Sequence, residues 1–356
     1  MKKIKILVVD DSALMRKFIS DMINEEKDME VIGTARNGED LLEKLQAFQS
    51  GHNTPDVITL DIEMPKIDGL KALKQMKEKN INIPTIVLSS ISKQGTELTM
   101  ECLHSGAFDF VSKPSGSISI DINKIKEKLI ERIKMAYKTS NIKKTCVNST
   151  TFVSENLHMH NREKRRNIGA IVIGASTGGP KALYSVLTKL PDNFNIPTFV
   201  VQHMPEGFTK AFAERLNNNS YQKVVEAEDN MLIYPNTIYI APGGLHMELG
   251  NDKKIHLNKE PPIWGVRPAV DKLFLSASKV YGKNIVSVIL TGMGKDGAEG
   301  TAKIKDNGGI TISEDESTCT IYGMPKAAYA TGKVDMVLKL DNIADELIKL
   351  VSLNRG

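Results

Sequence analysis

The chain is poor in what several functional classes need. It has three cysteines in 356 residues, Cys102, Cys146 and Cys319. They are odd in number, far apart and without metal-ligand spacing, which excludes a disulfide framework and suits a reducing compartment. One tryptophan and 5% aromatic residues provide no base-stacking surface, and a net charge of +4 is too small for a nucleic-acid binder. No apolar run approaches the ~18 residues of a membrane span. Lys2, Lys3 and Lys5 precede Ile6–Val9, but Asp10 and Asp11 end that run too early for a signal-peptide core. The expectation is a cytoplasmic protein with no membrane insertion and no nucleic-acid partner. What is present is ordinary globular composition, 41% hydrophobic and 25% charged, in a chain long enough for two or three domains.

In the first half, short apolar runs alternate with helical patterns. Ile4–Val9, Val31–Ile32, Val57–Leu60, Ile86–Leu88 and Phe108–Val111 read as strands. Ala13–Asn24, Glu39–Phe48 and Leu70–Lys77 read as helices, and Ile125, Leu129, Ile133 and Ala136 recur at helical spacing up to Tyr137. The alternation predicts a parallel sheet with helices on both faces. In such sheets sites form at the carboxyl ends of strands. There stand Asp10-Asp11, Asp61, Ser89-Ser90 and Lys113. Carboxylates sharing one edge repel unless a hard cation joins them, and Mg²⁺ suits a few carboxylates and a phosphate.

Residues 1–125 resemble the receiver domain of bacterial response regulators. The pieces that carry the likeness are Val8-Val9-Asp10-Asp11-Ser12, Asp61-Ile62-Glu63-Met64-Pro65, Gly69, Leu88-Ser89-Ser90 and Lys113-Pro114. The resemblance implies a flavodoxin-like fold with Asp61 as phosphate acceptor. It implies that Asp11 and Asp61 hold Mg²⁺ with support from Asp10, that Ser89 bonds the phosphoryl group, and that Lys113 pairs with it. The Lys113–Pro114 bond is a candidate for the cis form. From Lys138 to Asn167 no apolar period persists, and a flexible linker is expected. Its Arg162–Arg166 basic cluster reads as solvated, and His158 and His160 have no further ligand at metal spacing.

Periodicity resumes at Ile168 and predicts a second, mostly parallel α/β sheet over 168–356. Strands are expected at Ile168–Ile173, Pro197–Val201, Thr237–Ala241, Ile285–Leu290 and Gly309–Ile312. Helices are expected at Lys181–Leu190, Thr209–Leu216, Ala269–Tyr281 and Ala298–Asn307. After three of these strands come Ser176 in Gly174-Ala175-Ser176-Thr177-Gly178, then His203, then Asp296 in Gly292-Met293-Gly294-Lys295-Asp296-Gly297. On one sheet edge, His203 would take the Ser176 proton and Asp296 would hold the imidazole. Ser176 N–H groups or the Gly292–Gly294 backbone would supply the oxyanion site. His246 competes with His203 but lies several residues past its strand. Gly292-x-Gly294-x-x-Gly297 also matches a dinucleotide fingerprint, with Glu314, Asp315 and Glu316 placed to bind a ribose. These residues alone leave a hydrolase and a nucleotide binder open.

Residues 168–352 resemble the catalytic domain of chemotaxis protein-glutamate methylesterases. The likeness rests on Ile173–Pro180, Gln202-His203-Met204-Pro205, Ile240–Gly244, Arg267–Asp271, Thr291–Gly297 and Tyr322-Gly323-Met324-Pro325. Ala269 departs from the serine often found there. The resemblance implies a Rossmann-like catalytic fold, a triad of Ser176, His203 and Asp296, and the Met293 N–H in the oxyanion site. It implies demethylation of glutamate methyl esters on the cytoplasmic helices of chemoreceptors, with a chemotaxis histidine kinase as phosphodonor. Deamidation of receptor glutamines is a second expectation. Ester hydrolysis is expected to need no cofactor. The unphosphorylated receiver is expected to cover the catalytic edge. The non-enzymatic alternative is a response regulator whose second half only binds a partner.

Overall fold

The structure, a computed structural model, describes residues 3–50, 53–113, 121–146 and 167–352. The Lys113–Pro114 bond, His158, His160 and the basic cluster lie outside these. The chain divides into two compact units, Met1–Thr151 and Phe152–Gly356.

The first unit runs β1 (Ile4–Val9), α1 (Ala13–Asn24), β2 (Met29–Ala35), α2 (Gly38–Ser50), β3 (Val57–Asp61), α3 (Gly69–Glu78), β4 (Thr85–Ser89), α4 (Lys93–Ser105), β5 (Asp109–Ser112) and α5 (Asp121–Cys146). Its five strands are parallel in the order β2-β1-β3-β4-β5. β3 and β4 are buried throughout, which explains their unbroken apolar runs. Side chains start the helices: Ser12 accepts the Met15 N–H and Asp68 the Lys71 N–H. Helix α4 has no counterpart in the sequence reading. Its buried face includes Thr96 and Thr99, which hydropathy does not flag, and its start is marked by the Ser92 cap. Helix α5 continues past Tyr137 into the stretch read as linker. Residues 138–146 contain neither Gly nor Pro, so nothing there breaks it.

The second unit runs β6 (Ala170–Ala175), α6 (Gly179–Leu187), β7 (Thr198–Gln202), α7 (Phe208–Asn217), β8 (Lys223–Glu226), β9 (Thr237–Ile240), β10 (His246–Leu249) and β11 (Ile255–Asn258). It continues with α8 (Val270–Tyr281), β12 (Ile285–Ile289), α9 (Ala298–Asp306), β13 (Ile310–Glu314), α10 (Met324–Ala330), β14 (Met336–Leu338) and α11 (Leu340–Ser352). Seven strands form a parallel sheet ordered β14-β13-β12-β6-β7-β9-β8, and β10 and β11 pair as a separate antiparallel ribbon. Strands β6, β7 and β12 are wholly buried. Each Ile or Val buried there contributes about 1.5–3 kcal/mol relative to exposure.

From β6 the chain adds β7, then the edge strand β8, inserts β9 between them, and crosses to the other side of β6 for β12, β13 and β14. The strand order therefore reverses at β6, and in sheets of this kind sites form at the carboxyl end of such a point.

Candidate active site

The register of β6 and β7 places Ser176 and His203 side by side. Ala175 pairs with Gln202, so each candidate is the next residue on its strand. The His203 N–H donates to the Ala175 carbonyl at 3.1 Å. Gln202, itself buried, donates through Nε2 to the Ser176 carbonyl at 2.9 Å and ties the serine turn to β7. On the other side of β6, the loop after β12 brings Asp296. Its Oδ2 lies 2.8 Å from His203 Nε2. Nδ1 is the ring nitrogen that Asp296 does not engage. Among the described residues no hydrogen bond joins Ser176 Oγ to His203 in this resting geometry.

Asp296 is held by more than the histidine. The Val270 N–H donates to Oδ2 at 2.7 Å and the Asp271 N–H to Oδ1 at 2.9 Å. These belong to the first turn of α8, whose positive end favours an anion. Burial opposes the charge on Asp296, but His203 and the two amides outweigh it and hold the carboxyl below its ordinary value. Sequence reasoning missed these amides. The signal was the start of a helix just after Arg267-Pro268-Ala269. Burial pushes the neighbouring Asp271 up to about 6, against its bonds from the Gly300 N–H and the Trp264 indole and with the help of Asp296.

The two oxyanion sources left open by the sequence differ in their hydrogen bonds. The Ser176 N–H is engaged by the Thr291 carbonyl at 3.0 Å. The Met293 N–H has no hydrogen-bond partner among the described residues, and Met293 is exposed. Gly292 permits this approach: a Cβ there would stand 2.8 Å from Ser176 Cβ and 2.4 Å from Met324 Sδ.

The competing features have other uses. His246 is fully buried, with Nε2 donating to the Pro261 carbonyl at 3.1 Å and Nδ1 accepting the Ala269 N–H at 3.2 Å. The glycine fingerprint follows β12 rather than the first strand of its sheet. Glu314, the first of the three ribose candidates, is buried with Oε2 on the Thr291 N–H at 2.8 Å. Cys102 and Cys319 are buried, and burial pushes both thiols up, Cys102 to about 12.

In the first unit the strand ends form an acidic pocket. Carboxylate oxygens of Asp10, Asp11 and Asp61 lie within 4.8 Å of one another. Lys113 Nζ is 2.9 Å from Asp10 and 2.8 Å from Asp61. Burial raises Asp61 to about 6; Lys113 opposes the rise and Asp10 adds to it. Three acids against one lysine leave net negative charge, and all the donors are hard oxygens, which fits Mg²⁺. Gly69 lets α3 start against β3, since a Cβ there would meet the Asp61 carbonyl at 2.3 Å. Ser89 does not turn toward Asp61. Its hydroxyl donates to the Ser90 and Gly95 carbonyls at 3.0 and 3.1 Å and accepts from Thr99 at 2.6 Å.

Comparison with known proteins agrees with this division. Residues 171–347 match the CheB methylesterase family and residues 6–123 the response regulator receiver domain. The chain is 57% identical to the protein-glutamate methylesterase/protein-glutamine glutaminase of Clostridium acetobutylicum over 99% of both chains. It is 41% identical to the protein of the same name from Pyrococcus abyssi, over 100% of this chain and 95% of that one. The crystal structure of the Thermotoga maritima CheB methylesterase catalytic domain matches with TM-score 0.50 and 46% identity, covering 51% of this chain and 98% of that chain. A serine, histidine and aspartate on one switch-point edge and an acidic pocket at the strand ends of the other unit thus occur together in one chain, which belongs to the CheB methylesterase family with an N-terminal response regulator receiver domain.

Proposed function

We propose that the chain is a phosphorylation-activated serine hydrolase that demethylates glutamate methyl esters of chemoreceptors in chemotactic adaptation. The same site deamidates receptor glutamines. The observation that carries the reading is the His203–Asp296 pair, 2.8 Å apart, with Ser176 at the adjoining strand end.

In this mechanism Ser176 Oγ attacks the ester carbonyl while His203 Nδ1 takes its proton. Asp296 stabilises the imidazolium through Nε2–H, held ionised by the amides of α8. The Met293 N–H faces the developing oxyanion. His203 returns the proton to the departing methoxide, and methanol leaves. Water, deprotonated by the same nitrogen, attacks the acyl-serine and frees the glutamate. With glutamine the leaving group is ammonia, and the other steps are unchanged.

Asp61 is the phosphate acceptor in the receiver. Asp11 and Asp61, supported by Asp10, would hold Mg²⁺, which supplies charge neutralisation during phosphoryl transfer from a histidine kinase. Lys113 is placed to pair with the new phosphate. Ser89 would have to rotate away from the Gly95 carbonyl to reach it. No helix among the described residues is long and apolar enough to cross a membrane.

The test is methanol release from methylated receptor, with and without a small phosphodonor. Release that rises with the phosphodonor and vanishes in a folded Ser176→Ala protein is the expected result. Unchanged release from Ser176→Ala would remove the assignment and favour a second half that only binds a partner. Ammonia release from a glutamine-bearing receptor tests the deamidase.

A further inference from the structure

Glu314 ends β13 as a carboxyl with no solvent exposure and no ion-pair partner among the described residues. Burial pushes its pKa up, against hydrogen bonds from the Thr291 N–H, the Thr318 hydroxyl and the Cys319 thiol. Oε2 accepts the Thr291 N–H at 2.8 Å and Oε1 accepts the Thr318 hydroxyl at 3.0 Å. An acid buried without a cation is unfavourable, and the mechanism above gives it no role.

What it holds is the crossing point of the site. The Thr291 carbonyl accepts the Ser176 N–H at 3.0 Å. The Thr291 hydroxyl donates to the Thr177 carbonyl at 3.0 Å and accepts the Ile321 N–H at 2.9 Å. The next residue is Gly292, whose own N–H donates to the Ile321 carbonyl and whose carbonyl takes the Gly323 and Met324 N–H groups. The serine turn, the glycine loop and the segment before α10 therefore meet at Thr291. Its N–H is held by a side chain from a different strand.

We propose that Glu314 is a positioning residue for ester hydrolysis: by accepting the Thr291 N–H it fixes the Met293 N–H relative to Ser176 Oγ. This rests on the roles given above to Ser176 and Met293. Without the acceptor, the Thr291 N–H is buried and unpaired, and the strand end shifts to satisfy it. Glu314 is sealed beneath the loop, so its loss alters the transition state far more than substrate capture. A glutamine keeps the arrangement. Its carbonyl accepts from Thr291, and its amide donates to the Thr318 hydroxyl, which can still donate to the Asp315 carbonyl at 3.2 Å.

The experiment compares full-length Glu314→Gln, Glu314→Leu and Thr318→Val with the native chain and Ser176→Ala. Each is assayed for methanol release from methylated receptor with the phosphodonor present, and thermal unfolding checks the fold. Expected are a kcat within about 3-fold for Glu314→Gln and a loss of about 10- to 100-fold for folded Glu314→Leu, with KM nearly constant. Thr318→Val removes one anchor of the carboxyl and lowers kcat by about 3- to 10-fold. Should Glu314→Leu fail to fold, Thr318→Val decides alone. Native kcat in folded Glu314→Leu or Thr318→Val, beside an inactive Ser176→Ala, overturns the role of Glu314 and leaves the site assignment standing. So does a rise confined to KM, or a Glu314→Gln as impaired as Glu314→Leu. Release by Ser176→Ala overturns the site assignment itself.

Discussion

The Ser176 N–H donates to the Thr291 carbonyl at 3.0 Å, so the nucleophile turn is tied to the loop that ends β12. In many serine hydrolases the nucleophile's own amide helps bind the oxyanion. Here that amide is engaged, and the Met293 N–H has no hydrogen-bond partner among the described residues. The proposed nucleophile and the proposed oxyanion donor thus follow two strands joined through Thr291, and changes at that joint are expected to register in both.

The packing at Gly292 gives a direct check. Gly292→Ala drives a methyl group into Ser176 Cβ and Met324 Sδ, and the buried loop has little room to yield. Stability falls by about 1–3 kcal/mol, and kcat falls by about 100-fold as the loop moves. A folded variant with native kcat would mean that the loop is not part of the oxyanion site.

The two histidines separate by their losses. His203→Ala leaves Asp296 with two amide donors, so stability changes by less than about 1 kcal/mol, while kcat falls by at least about 10³-fold. His246→Ala strands the Ala269 N–H and the Pro261 carbonyl and opens a buried void. It costs about 2–4 kcal/mol of stability. Thermal unfolding alongside methanol release tests both. A stable, fully active His203→Ala protein would hand the base role elsewhere.

Asp271 predicts a pH signature. Its carboxyl is raised from 3.8 to about 6 by burial, with Asp296 and Glu299 adding to the shift. The folded state therefore holds this proton more tightly than the unfolded chain, and its contribution to stability declines as pH rises from about 4 to 6. Asp271→Asn removes that decline. The midpoint of the variant minus that of the native chain should become more positive across this interval in calorimetric scans. A constant difference would show that Asp271 does not titrate there.

For the receiver, Asp61→Asn abolishes stimulation by the phosphodonor and leaves unstimulated methanol release in place, because the acceptor carboxylate is gone while the second unit is untouched. Radiolabel from a phosphodonor should be absent from the variant. Retained labelling and stimulation would place the phosphate elsewhere.

Hydropathy pattern and loop chemistry were enough to place the alternation of strands and helices, the boundaries of β1 and α1, and the residue types at each strand end. These are local properties: hydrophobic period, caps and loop chemistry act within a few residues. The sequence also offered a triad. It missed α4, whose inward face includes threonines, and it left α11 unread although Ile343, Leu347 and Val351 recur every fourth residue. Tertiary structure decided what depends on strand order and amide direction. That β12 lies beside β6, with Ile285 paired to Ala170 and Ile289 to Gly174 far back in the chain, brings Asp296 to His203. Which nitrogen of His203 faces Asp296, which amides hold that carboxylate, and which carbonyl engages the Ser176 N–H follow only from that adjacency. Backbone N–H groups are common to every residue, so no sequence pattern distinguishes an engaged amide from a free one; the neighbouring strand does.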